Sequence, residues 1–289
     1  MTTPTPTLVI TGAAGGIGGP VARAALDAGY RVVAADRAPF DLPGAAATVV
    51  GDLREQGVVD ELFDAAGDDV FAVLHLAAIP SPGQFDDHDT LVRNVSSAYR
   101  VLGTAGERGV RRIVAVSSAS AVGFAWADRD LTPAYLPVDE DHPIVVVDTY
   151  GLSKVFMEQI AAFTERRWHV PTITLRFPFV GTGDRLQVRL DEMAQSPATG
   201  SRDLWAWVDT RDAVTSILRS AEVPSAGAVV LNVSAPDTMS PWPTREIVAA
   251  AFPGLEVPDT VAEYGGLYDT SRAAELLGLT DYHGWRTGA

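Results

Sequence analysis

Thr7-Leu-Val-Ile-Thr11-Gly12-Ala13-Ala14-Gly15-Gly16-Ile17-Gly18 is the stretch on which the fold turns. Its first five residues form a short apolar run without polar alternation, which suits a strand buried on both faces. A glycine cluster follows, then an alanine-rich apolar pattern from Ile17 to Ala28, closed by Gly29. Strand, glycine turn and helix in that order predict a phosphate cradle. Gly12 permits the tight turn, Gly15 lets the backbone approach a pyrophosphate, and Gly18 lets the helix pack closely on the strand. Gly16 and Ile17 stand where the helix offers unpaired N–H groups and the positive end of its dipole. The ligand this pattern predicts is a dinucleotide.

The next segments supply the rest of such a site. Arg31-Val-Val-Ala-Ala-Asp36 reads as the second strand and ends in a carboxylate 18 residues beyond Gly18. A carboxylate there accepts hydrogen bonds from ribose hydroxyls and repels a 2′-phosphate, which favours NAD. The neighbouring Arg37, able to stack on adenine or pair with a phosphate, keeps NADP as the alternative. Asp52 and Leu53 follow another short apolar segment, where Asp52 is in reach of an adenine amino group or caps the helix beginning near Glu55. Leu76-Ala77-Ala78 ends the fourth strand with side chains that leave the cofactor room. His75, inside that strand, reads as a satisfied core histidine.

Further apolar runs at 70–76, 112–117 and 172–177 alternate with helical stretches at 55–66, 86–108 and 149–168. Alternation of this kind predicts an α/β protein with a doubly wound parallel sheet, whose ligand crevice lies at the carboxyl ends of the strands. The pattern loosens after Phe177. Segments 181–202 and 236–244 read as loops, with short elements at 203–208, 210–220, 229–233, 244–251 and 270–277. The division expected is a dinucleotide-binding part over 1–177 and a smaller substrate-binding subdomain over 178–289, packed as one compact unit.

Composition narrows the function. The chain has 289 residues, 47% of them hydrophobic and 20% charged, as in ordinary globular proteins. No apolar run is long enough to span a membrane, and Met1–Thr7 reads as a tail without the basic and apolar regions of a signal peptide. A net charge of -15 argues against nucleic acid and anionic membranes as partners. With no cysteine there are no disulfides, thiolate nucleophiles or cysteine metal sites, so the expected compartment is the cytoplasm and no metal centre is predicted.

Of the 22 basic residues only Lys154 is a lysine. In a chain that uses arginine wherever mere positive charge is needed, this position points to a chemical need for an ammonium with an adjustable pKa. Tyr150 lies four residues earlier, on the same face of a helical stretch. A free tyrosine titrates near 10, and a neighbouring ammonium together with a bound cationic nicotinamide lowers that value. Tyr150 is then a general acid in reduction and a general base in oxidation. Ser118, at the end of the fifth strand, is placed to hydrogen-bond the substrate oxygen, with Ser117 turned to the cofactor. A small-molecule substrate with an alcohol or carbonyl follows. Arg185, Arg189, Arg202 and Trp205 are candidate substrate contacts.

Thr11 to Gly18, Ser118 and Tyr150-x-x-x-Lys154, with Asn94 in the helix before the fifth strand, resemble the extended short-chain dehydrogenase/reductases, the NAD-dependent epimerase/dehydratase family. The resemblance implies a Rossmann sheet, NAD(P)-dependent oxidoreductase activity, Asn94, Phe177 and Pro178 near the cofactor, and a homodimer formed by the helices bearing Asn94 and Lys154. Arg211-Asp-Ala-Val214 is similar to the family's later helix start. In length and in Tyr150-Gly-Leu-Ser-Lys-Val-Phe156 the chain is similar to the uronate dehydrogenases, with Ala119-Ser120 where that group carries Asn-His. Hydride transfer to or from a small sugar-derived substrate is the activity implied. The alternative is a nucleotide-sugar epimerase or dehydratase with tightly bound NAD.

Overall fold

The computed structural model describes residues 5–286; Met1–Pro4, the start of the expected tail, lie outside them. The first half runs β1 (Thr7–Thr11), α1 (Gly18–Asp27), β2 (Arg31–Asp36), β3 (Ala47–Val50), α2 (Gln56–Ala66), β4 (Val70–His75), α3 (Asp87–Glu107) and β5 (Ile113–Ser118). The second half contributes α4 (Thr149–Trp168), β6 (Thr172–Phe177), β7 (Phe179–Val180), α5 (Gly183–Met193) and β8 (Trp207–Val208). It closes with α6 (Thr210–Glu222), β9 (Ala228–Asn232), α7 (Thr244–Ala251) and α8 (Ser271–Leu277).

Seven strands form one parallel sheet in the order β3-β2-β1-β4-β5-β6-β9. From β1 the chain winds outward to β3, then returns to lay β4, β5 and β6 on the other side. The strand order reverses between β1 and β4, so loops leaving their carboxyl ends part and leave a crevice. Alternate strand residues feed two cores. Leu8, Ile10, Ala72, Leu74 and Ile173 face α1, α6 and α8, whereas Val9, Val73, Ile113 and Ala115 face α2, α3 and α4.

β9 and α6 belong to the last third of the chain, yet both return to the main sheet, across the division expected at 177. What sits over the crevice is a third cluster, in which Leu186, Met193, Trp205, Trp207, Phe252 and Leu267 pack against Val122, Phe124 and Val138. No described helix is long and apolar enough to cross a membrane.

Three expectations need correction. The 181–202 segment is not all loop, because α5 occupies Gly183–Met193. Its helical face, Leu186, Leu190 and Met193, was masked by Gly181 and Gly183 before it and by Pro197 and Gly200 after it. The 203–208 element shrinks to Trp207–Val208, since Leu204 and Trp205 hold left-handed backbone with φ of 51° each. Trp205 is fully buried behind the crevice wall, so it is core and not a substrate contact.

Candidate active site

The crevice encloses about 1440 Å³ and runs from the glycine turn to α5. At its floor, Gly12 has φ +75°, and a Cβ there would stand 2.7 Å from the Ala77 nitrogen. A Cβ on Gly18 would overlap the Gly12 carbonyl oxygen, whereas one on Gly16 would meet nothing. The steric need is thus concentrated at 12 and 18, while Gly16 borders open crevice. No side chain caps α1 and no acid stands in its first turn, which leaves its amino end for a phosphate.

Asp36 fixes the loop above this turn, accepting from the Ala14 N–H at 2.9 Å and the Ala38 N–H at 3.0 Å. Asp36 also lines the crevice. Arg37 lies over the Phe85 ring, with Arg93 over it as well, at 5.6 and 4.6 Å from the centroid. Asp52 does not cap α2: it accepts from the Arg54 N–H and pairs with that guanidinium, whose hydrogen bond lowers its pKa. Asp52, Leu53, Leu76, Ala77, Ala78 and Ile17 all border the crevice. The glycine cradle, the uncapped helix and Asp36 fit NAD.

Asn94 is buried and bound to the backbone of Ile79, at 2.7 Å from its N–H, and to the Ser153 hydroxyl at 3.0 Å. It ties α3 to α4 and fixes the loop after β4 at the crevice wall. His75 is 3% exposed and 2.9 Å from the Thr11 hydroxyl. Burial, with the Lys154 charge adding to it, pushes its pKa down to about 3, so the imidazole stays neutral.

Asp148 caps α4 by accepting from the Gly151 N–H at 2.7 Å, which presents Tyr150 and Lys154 in the first two turns. Tyr150 is 6% exposed, and burial pushes its phenol up to about 12, with Ser118 opposing and Asp148 assisting. The Lys154 ammonium donates to the Val116 carbonyl at 2.9 Å and lies 5.7 Å from the Tyr150 ring centroid. Burial pulls Lys154 down to about 8, against the pull of Glu158.

Ser118 stands half-buried at the crevice, its hydroxyl 3.0 Å from that of Ser120. Ser117 borders the same space, but its hydroxyl donates to Glu158 at 2.7 Å, so it is not turned to the cofactor. Glu158 also binds Arg176 through both oxygens, at 2.9 and 2.8 Å, with both side chains almost wholly buried. Phe177 is packed in the core, and Pro178 continues its wall toward Phe179.

On the substrate side, Arg189 pairs with Glu192 and Asp203, and Arg202 donates to the Ala127 carbonyl at 2.7 Å and faces Asp130. Arg185 donates to the Val180 carbonyl and has no carboxylate partner among the described residues. Trp126 and Tyr268 complete this wall. Both were missed in the sequence, since they lie on irregular segments without a motif. Glu158 had a signal, its position one turn beyond Lys154.

The sequence profile of the NAD dependent epimerase/dehydratase family matches residues 8–234, and the chain belongs to that family. It is an NAD-dependent enzyme of the extended short-chain dehydrogenase/reductase type. It is 28% identical over 246 residues to the uronate dehydrogenase of Pseudomonas putida, covering 83% of this chain and 80% of that one. The match to UDP-glucose 4-epimerase of Azospirillum brasilense is 27% over 189 residues, and it covers 63% of this chain but only 51% of the epimerase. The solved structure of MoeE5 in complex with UDP-glucose and NAD is 26% identical with a TM-score of 0.70, covering 98% of this chain and 95% of that one.

Proposed function

We propose that the chain is a net NAD-dependent dehydrogenase of a small sugar acid, interconverting an alcohol and a carbonyl. One observation carries this reading: Arg185, without a carboxylate partner among the described residues, lines the same crevice as Tyr150 and Ser118. In a chain of net charge -15, an exposed guanidinium on the wall of that crevice suits a carboxylate. The match over four fifths of a uronate dehydrogenase, against half of an epimerase, supports the same choice.

NAD, when bound, supplies the hydride acceptor and a positive ring charge. In the oxidation direction the Tyr150 phenolate takes the proton of the substrate hydroxyl, and the Ser118 hydroxyl holds that oxygen in place. Lys154 holds its ammonium beside Tyr150 through Val116, favouring the phenolate that burial alone disfavours.

Galacturonate or glucuronate with NAD is expected to give NADH absorbance at 340 nm (about 340 nm being where the reduced cofactor absorbs), and neutral aldoses much less. Stoichiometric NAD released on denaturation, with no NADH from any sugar acid, would favour nucleotide-sugar epimerisation instead. A homodimer is supported by the exposed apolar residues Val92, Tyr99 and Phe156 on α3 and α4. Light scattering at twice 30.6 kDa checks it. A chain free of cysteine supports a cytoplasmic location.

A further inference from the structure

The geometry points to Tyr268 as the residue that recognises a hydroxyl of the substrate away from the reacting carbon. Tyr268 is 8% exposed and borders the crevice together with Tyr150, Phe179 and Asp203. Its hydroxyl has no hydrogen-bond partner among the described residues, although its ring packs in the third core cluster. Packing alone is served by phenylalanine. A tyrosine in this position brings a hydroxyl to the crevice wall with no partner there among the described residues, free for a ligand in the crevice.

The backbone around it is held from several sides. The Val138 N–H donates to Leu267 O at 2.8 Å, the Asp269 N–H donates to Val138 O at 2.9 Å, and Asn232 donates to Asp269 O at 3.3 Å. Tyr268 is therefore anchored to the end of β9 rather than carried on a free loop. Burial, with the Asp203 charge assisting and Arg176 opposing, keeps the phenol protonated, so it both donates and accepts. A polyhydroxylated substrate offers what such a group needs. A site built to pair a substrate hydroxyl rejects the analogue lacking it far more strongly than an apolar wall would.

This assignment rests on the sugar-acid dehydrogenase reading and makes Tyr268 a specificity residue, with no part in proton transfer. The test compares the wild type with Tyr268→Phe on galacturonate, glucuronate and mannuronate, the first and last each differing from glucuronate in the configuration of one hydroxyl. Expected are a rise in KM of about tenfold for the preferred uronate and a narrowed preference among the three. The KM for NAD and the unfolding midpoint without uronate should stay unchanged, because no protein hydrogen bond is lost. Unchanged KM and preference would overturn the assignment, as would an equal loss on all three with a lowered midpoint.

If the wild type reduces no NAD with any uronate, the dehydrogenase reading falls. The shift of the unfolding midpoint by each uronate in the presence of NAD then decides for Tyr268. A shift present in the wild type and lost in Tyr268→Phe sustains it; equal shifts, or none, overturn it.

Discussion

Tyr150 and Lys154 feel the same burial and respond in opposite senses, because each is driven toward its neutral form. For Lys154 the folded pKa of about 8 lies below the ordinary 10.5, so between these values the unfolded chain binds more protons. Stability therefore rises with pH through that window. The wild type should gain unfolding free energy relative to Lys154→Met between about pH 8 and 10.5, as followed by denaturant titration at each pH; a parallel profile would contradict the burial argument. Lys154→Arg should lose activity by about 10²–10⁴-fold, since a planar guanidinium cannot reproduce the compact ammonium that donates to the Val116 carbonyl beside Tyr150. Tyr150, Lys154 and the glycines could be found in the sequence because their spacing is local. The direction of the Ser117 hydroxyl was not, because it depends on Glu158 from another element. Trp205 and Tyr268 were opaque for the same reason: only the packed fold decides which aromatic is wall and which is core.

Among the elements, α4 does most to assemble the site, and its capping by Asp148 makes its start readable in the sequence. α5 was hidden because its polar face and flanking glycines look like a loop until Leu186 and Met193 find the third core. The buried Glu158–Arg176 pair joins α4 to β6 and, through Ser117, to β5. Truncating one partner leaves the other charge buried and alone. Arg176→Met is expected to cost about 3–5 kcal/mol in chemical unfolding, and Glu158→Leu with Arg176→Met much less. A single variant as stable as the wild type would show that the pair is dispensable. Because Lys154 and Glu158 sit one turn apart, the destabilised single variant should also weaken NAD binding.

At the scale of the whole molecule, the sheet order brings the carboxyl ends of β1, β2 and β4 to one crevice, so a ligand held there would link both halves of the sheet. NAD at about 100 times its Kd should add about 2.7 kcal/mol to the unfolding free energy. NADP is expected to add less, on the reading that Asp36 takes the ribose hydroxyls, and Asp36→Ser should shrink that difference; equal shifts by both cofactors would contradict that role of the carboxylate. The doubly wound order was legible from alternating runs, while the return of α6 and β9 to the sheet was not, since a short strand after an irregular stretch looks the same in either domain.

A chain with one lysine also has one side-chain amine, and that amine lines the cofactor crevice. Amine-directed labels therefore report only on this position and on the α-amino group. Occupancy of the crevice should be countable by mass spectrometry as protection of a single peptide.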